Sequence, residues 1–156
     1  MFKKNSYLVL LLSLFIGTQA FFGCDISEGN NSSKQIPMPE ALKGSYLSTY
    51  SEEFIITGTE FTSAYGGAVG YKGNIVNVRD DGGDTAGYIT IRYTENTWNT
   101  PAIGNFYVIH YKNLTNNSVD LAGSSDGDGK ITQDEAEDEY TVTNGYFSSY
   151  SVCAKQ

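Results

Sequence analysis

From residue 42 onward the chain repeats one pattern: short runs of Tyr, Val, Ile, Phe and Thr, each broken by Gly, Asn or Asp. β-Branched and aromatic side chains suit a pleated, half-buried surface, and Gly, Asn and Asp accept the positive φ of tight turns. The pattern predicts strands over 45–50, 53–57, 60–65, 74–79, 87–94, 105–112, 118–122, 139–143 and 146–152. Turns are expected at Gly66-Gly67, Lys72-Gly73, Asp81-Gly82-Gly83 and Asn144-Gly145, the last being a strong hairpin signal. Ile89, Ile91 and Tyr93 share one face opposite Thr90, Arg92 and Thr94, and Val142 faces away from Thr141 and Thr143. Only residues 134–138 suit a helical turn. The fold class is all-β. Sequential hairpins of this length close into a small antiparallel up-and-down β-barrel, which leaves no exposed edge; a β-sandwich is the alternative.

The amino terminus differs in kind. Lys3 and Lys4 are followed by an uncharged apolar stretch from Tyr7 to Ile16, then by less apolar residues ending at Gly23 and Cys24. This is the layout of an export signal ending at a lipidated cysteine. Residues 1–23 are expected to be a lipoprotein-type signal peptide, with Cys24 carrying the lipid. Phe21 and Phe22 depart from the usual Leu and small residue of a lipobox, while Gly23 and Cys24 fit it. Ordinary secretory cleavage after Ala20 is the rival, since Thr18 and Ala20 are both small. The apolar run falls short of the ~20 residues that span a bilayer. Residues 24–40 are polar, carry Pro37 and Pro39, and read as the lipidated Cys and a flexible tether. About 15 such residues reach on the order of 20 Å. Residues 41–156 are the barrel domain.

Removal of residues 1–23 leaves 133 of 156, enough for one domain. Without Lys3 and Lys4, eight basic residues face eighteen acidic ones, a net charge of −10. That acidity excludes a nucleic-acid-binding face and weakens docking on anionic lipid, so the lipid is what would hold the chain to a membrane. Acylation of Cys24 leaves Cys153 without an intrachain partner; cleavage after Ala20 permits a bridge between them.

Several segments together resemble a family of short spirochaete lipoproteins. They are Leu42-Lys43-Gly44-Ser45-Tyr46, Tyr111-Lys112-Asn113-Leu114-Thr115 with Ser118-Val119, Glu139-Tyr140-Thr141, Asn144-Gly145-Tyr146-Phe147, and Tyr150-Ser151-Val152-Cys153. The resemblance covers nearly the whole chain after Cys24. It implies a lipocalin-like, calycin-type β-barrel in the cell envelope, and it carries no activity and no catalytic residue with it. Gly44-x-Tyr46 also resembles the Gly-x-Trp of lipocalins, with Tyr in place of Trp.

One stretch has ligand chemistry. In Ser124-Ser125-Asp126-Gly127-Asp128-Gly129-Lys130-Ile131-Thr132-Gln133-Asp134-Glu135, the spacing follows the twelve-residue calcium loop. Asp126 and Asp128 fall at positions three and five, Gly129 at the sharp turn, the Lys130 carbonyl at seven, Thr132 at nine and Glu135 at twelve. Ser124 stands where the first Asp belongs, and a strand rather than a helix is expected before it. The expectation is a weak calcium site of ~10⁻⁴ to 10⁻³ M, the other reading being a solvated acidic turn.

Tyrosine is the commonest aromatic, at 12 against eight Phe and one Trp. In a small barrel such rings either line a cavity for an amphiphile or fill the interior themselves. Trp98 is a lid on the barrel end or a contact residue. The single histidine, His110, lies inside a strand run, and no nucleophile elbow, phosphate loop or Cys/His zinc spacing accompanies it. No enzyme is therefore expected. The expected function is a lipid-anchored cell-envelope lipoprotein, on the inner or outer membrane outside the cytoplasm, binding a small amphiphilic ligand. The alternative is a surface-exposed interaction or structural lipoprotein, its barrel filled, that contacts a macromolecular partner.

The lipid assignment has a direct consequence. Cells fed a labelled fatty acid should incorporate label into this protein, and Cys24→Ala should remove it; label retained in that variant would overturn Cys24 as the acceptor.

Overall fold

The computed structural model describes residues 34–156; the signal peptide, Cys24 and the first part of the tether lie outside the described residues. The strands are β1 (Gly44–Ser48), β2 (Glu52–Ile56), β3 (Glu60–Tyr65), β4 (Ala68–Asp80), β5 (Gly87–Asn96), β6 (Phe106–Lys112), β7 (Ser118–Gly123) and β8 (Ser151–Lys155), with one helix, α1 (Gln133–Glu139), before the last. Each strand pairs antiparallel with the next, and β8 pairs back onto β1 through Tyr46↔Lys155, Leu47↔Ala154 and Ser48↔Cys153. The all-β, up-and-down barrel is therefore closed. No helix among the described residues is long and apolar enough to cross a membrane.

Alternation fills the inside. Tyr46, Phe54, Ile56, Phe61, Ile89, Ile91, Ile109, Tyr111, Leu121 and Cys153 meet in one buried cluster, as a barrel of about eight strands with large inward residues must pack. Ile89, Ile91 and Tyr93 share the inner face as their spacing predicts. The base is shut by a 3₁₀ turn over Glu40–Leu42, whose Leu42 is 0% exposed. The Tyr46 hydroxyl and the Lys155 ammonium both donate to the Ala41 carbonyl, at 2.7 and 3.1 Å, and hold that turn in place. Upstream, residues 34–36 run beside the end of β4: Ile36 N donates to Val78 O at 2.8 Å, and Asp80 N to Lys34 O at 3.0 Å. The segment expected as tether thus lies on the barrel from Lys34 onward.

Two expected turns come out differently. Gly66-Gly67, at φ +58° and +80°, makes the two-residue hairpin between β3 and β4 that its sequence requires. Lys72-Gly73 instead lies inside the 13-residue strand β4, where the register shifts. A Cβ on Gly73 would stand 2.7 Å from the Arg92 carbonyl, so this glycine permits a bulge and a close strand approach rather than a turn.

The nine expected strands become eight. Residues 139–143 leave α1 instead of forming a strand, and 146–150 join no ladder, so β8 starts only at Ser151. Asn144-Gly145 is the physical reason: Gly145 takes φ +80°, and the Asn144 amide donates to the carbonyls of Asp138 and Glu139 at 3.3 and 2.8 Å. It satisfies carbonyls that the helix end leaves open and so serves a helix terminus, not a hairpin. At the other end of α1, Thr132 Oγ1 accepts from Glu135 N at 3.3 Å, with Asp134 and Glu135 in the first turn, where an N-cap and acidic side chains favour the helix dipole.

The crossover 124–150 covers part of the barrel's outer face. Tyr88, Val108 and Ala122 point outward from β5, β6 and β7 and are buried against Ala136, Tyr140 and Phe147. A polar clamp fixes α1 there. Glu137 accepts from Asn77 Nδ2 at 2.9 and 3.0 Å and from Gln133 Nε2 at 2.8 Å, and lies 3.6 Å from Arg79 Nε. Arg79 Nη1 also donates to the Glu137 carbonyl at 3.2 Å, and its guanidinium sits 5.0 Å over the Tyr88 ring. Removing one partner of a buried charge pair leaves the other uncompensated, at roughly 3 to 5 kcal/mol. Glu137→Ala should lower the unfolding free energy by about 3 kcal/mol in urea denaturation; a loss under about 0.5 kcal/mol, the range of ordinary surface changes, would show that the clamp does not hold the crossover.

Candidate functional site

Strands β1, β3, β5 and β7 end at one rim, where β2, β4, β6 and β8 begin. Three inward tyrosines stand below this rim: Tyr71 on β4, Tyr93 on β5 and Tyr107 on β6. Tyr71 meets Tyr93 edge-on at 5.9 Å and Tyr107 edge-on at 5.7 Å, while Tyr93 and Tyr107 stack at 5.1 Å. Trp98, 70% exposed, stands edge-on to Tyr71 at 5.9 Å. With Asn96, Asn99, Gly127 and Asp128 these rings line a cavity of about 170 Å³.

Local sequence places each part. Asn96 Oδ1 accepts from the backbone N–H groups of Trp98 and Asn99 at 3.1 and 2.9 Å, the Asx pattern that lets an amide side chain turn the chain. Thr97 ties this turn to β4, its N–H and its hydroxyl both donating to the Gly70 carbonyl at 2.9 Å. The Trp98 ring then lies over Gly70, where a Cβ would come within 2.5 Å of it. Asn99 Nδ2 donates to Asp128 Oδ1 at 2.5 Å and Asn105 Nδ2 to the Asp128 carbonyl at 3.0 Å, which joins the two rim loops.

Tyr107 donates its hydroxyl to the Ser124 carbonyl at 2.9 Å, and Tyr93 to the Gly127 carbonyl at 3.4 Å. On β3 and β2, Ser63 Oγ donates to Glu52 Oε1 at 2.7 Å. Burial above all, then neighbouring hydroxyls and carboxylates, pushes all three phenols up: Tyr71 has Tyr107, Tyr93 and Glu52 beside it, Tyr93 has Asp126 and Asp128, and Tyr107 has Glu52 and Asp126. The rings stay neutral at any physiological pH.

The expected calcium loop forms the wall next to this cavity. Ser124 is buried, and its hydroxyl accepts from Asp126 N at 3.3 Å. Gly129 makes the sharp turn, at φ +69° with no room for a Cβ beside the Phe106 carbonyl. Lys130 pairs with Phe106 through both backbone bonds, so its carbonyl already accepts from Phe106 N at 2.7 Å. Thr132 caps α1, and Glu135 lies exposed in that helix's first turn. The positive charge inside this loop comes from the chain itself: Lys130 Nζ is 3.2 Å from Asp126 and 2.9 Å from Glu139. Burial raises the Asp126 pKa, but hydrogen bonds from the Tyr140 hydroxyl, Asp128 N–H and Lys130 outweigh it and hold the carboxyl below its usual value. The Tyr146 hydroxyl and then Lys130 do the same for Glu139. Among the described residues no three His, Cys, Asp or Glu side chains group so as to hold a metal ion.

His110 and Cys153 sit elsewhere. His110 is buried under the crossover on the outside of β6, with Nε2 3.0 Å from Asp81 Oδ2 and Nδ1 2.9 Å from the Tyr150 hydroxyl. Tyr88 and Phe147 pack on its ring at 4.7 and 5.5 Å. Cys153 is buried inside the barrel, donates to the Ser151 carbonyl at 3.1 Å, and has its thiol pushed up to about 12 by burial and then by Glu52 and Asp120.

The sequence pointed to tyrosines in general, not to these three. A finer signal exists: Tyr93 ends the inward series Ile89-Ile91-Tyr93 and Tyr107 begins the series Tyr107-Ile109-Tyr111, so one hairpin sets both at the same rim. No family model, no curated protein and no solved structure matches this chain.

Burial lowers the His110 pKa; the Asp81 bond and charge raise it in part, and Lys112 lowers it again. The folded state therefore binds the proton less readily than the unfolded chain, whose histidine titrates near ~6.5. This contribution to stability is present above that pH and is lost as pH falls below it. The melting temperature should drop between pH 7.5 and 5.5, and His110→Gln should flatten that drop; an equal slope in the variant would remove His110 as its source.

Proposed function

We propose that this chain is an exported cell-envelope lipoprotein, anchored through Cys24, that binds a small amphiphilic ligand at the mouth of its barrel. The observation that carries the reading is the cavity itself. The interior below is filled by its own side chains, yet Tyr71, Tyr93, Trp98 and Tyr107 leave about 170 Å³ open at the rim. Apolar bodies with a few convergent polar groups are the usual make-up of a small-molecule site. The volume suits a head group or a short molecule, since an apolar space of about 150 Å³ admits a guest the size of benzene. Lys3, Lys4, the apolar core after them and the Gly23-Cys24 junction support export and anchoring. Calcium in the loop 124–135 belongs to the proposal only as a weak site, because an entering ion must displace the Lys130 ammonium from Asp126.

A second reading is favoured by the rim. Tyr50, Tyr65, Trp98 and Ile131 are 73%, 64%, 70% and 80% exposed; Tyr65 ends β3 and the other three lie in connections at the mouth end. Such residues suit a macromolecular contact.

Native mass spectrometry of the full chain, released from membranes in detergent, separates the two. The first reading expects a small-molecule mass on the protein that Trp98→Ala removes while the fold persists. A bare protein, with a partner captured in a manner that depends on Tyr50 and Tyr65, would replace it with the second.

A further inference from the structure

Resting on the ligand-binding reading of the mouth, we propose that the group it takes is a methylated ammonium, on a free small molecule or at the head of a lipid. Three observations converge on a cation. Aromatic rings form the walls: Trp98 stands edge-on to Tyr71, and the stacked Tyr93 and Tyr107 line the same space. The negative faces of such rings attract an organic cation whose charge is spread over methyl groups, and Trp does so best.

The second observation is where the hydroxyl protons go. Tyr107 gives its proton to the Ser124 carbonyl and Tyr93 to the Gly127 carbonyl, while the Asn99 amide gives one to Asp128. The two hydroxyls are spent as donors within the rim, so what Tyr93 and Tyr107 offer a guest is lone pairs. An anion or a sugar needs donors; an ammonium needs none.

The third is charge. Asp128 lines the cavity, and Asp126 and Glu52 act on its phenols. The cations near the mouth are otherwise engaged: Lys130 with Asp126 and Glu139, Lys72 with Glu60 at 3.0 Å, and Arg92 with the Gly104 carbonyl at 3.0 Å. A cavity of about 170 Å³ holds a trimethylammonium head and leaves any chain attached to it outside.

The single tryptophan of the chain stands in this cavity, so its emission reads binding directly. The full chain in non-ionic detergent is titrated with choline, with its neutral isostere 3,3-dimethyl-1-butanol, and with two short-chain lipids carrying phosphocholine or phosphoglycerol heads. The proposal expects choline or the phosphocholine lipid to shift Trp98 emission saturably. It also expects the neutral isostere and the phosphoglycerol lipid to bind at least tenfold more weakly. Asp128→Asn should weaken binding at least fivefold, and Asp128→Glu, which keeps the charge, should restore it. A response to choline itself assigns a free small molecule or head group; a response to the phosphocholine lipid alone assigns a lipid source. Equal binding of the isostere or the phosphoglycerol lipid overturns the cation and leaves the ligand site standing. If no probe moves Trp98 and the protein flies bare in native mass spectrometry, the site reading falls and this inference with it.

Discussion

Strand β8 pairs on both of its sides, with β7 through 118–121 and with β1 through 46–48, and every other ladder depends on that closure. Strands of five to seven residues gain too little from one neighbour to stand as an open sheet, and a free edge invites pairing with another chain. The chain reaches the closing position only after the crossover 124–150 has been laid over β5, β6 and β7. The Glu137 clamp, the helix caps of Thr132 and Asn144, and the His110 contacts to Asp81 and Tyr150 all serve that one strand by fixing the path that leads to it.

The crossover also explains what was hard to read. Period-two alternation of apolar and polar residues reveals a strand, and Ile89-Ile91-Tyr93 was legible for that reason, although Thr90 on the opposite face is itself buried. Residues Tyr107 to Tyr111 are buried at every position because the barrel interior takes one face and the crossover takes the other. Their run of large residues, broken only by His110, marks a strand but not what covers it. Tyr140 and Tyr146 carry strong strand propensity, yet they pack on each other at 4.9 Å over the barrel wall, so tertiary burial decided against the ladder. Asn144-Gly145 and Lys72-Gly73 supply positive φ or lack a Cβ, properties that helix ends and bulges use as readily as hairpins do. The candidate site was legible only in its materials. Acidic loop, tyrosines and Trp98 were all visible, and spacing alone brings Tyr93 to Tyr107; Tyr71 and Asp128 join them through the β4–β5 register and the path of the crossover, which spacing along the chain does not encode.

Electrostatics divide the mouth into two compartments. In the outer wall, Lys130 is shared between Asp126 and Glu139, which are further held by Tyr140 and Tyr146. In the cavity, Asp128 has an amide partner and no cation in hydrogen-bond range among the described residues. The same short stretch of sequence thus supplies a self-satisfied brace and an acidic lining, and the step from one to the other is a single glycine between Asp126 and Asp128.

The pairing of residues 34–36 with the last part of β4 sets how the domain bears a pull. A load applied on the amino-terminal side of Lys34 enters at the Lys34 bonds to Asp80 and next meets the Ile36 bond to Val78. Beyond them lie the packed Leu42 and the Ala41 carbonyl held by Tyr46 and Lys155. The outer bonds are few and lie at the surface, while the turn at the base is packed into the core. Residues 34–36 thus stand where a mechanical fuse would, at the base of the barrel and at the opposite end from the rim that carries Trp98 and the tyrosines.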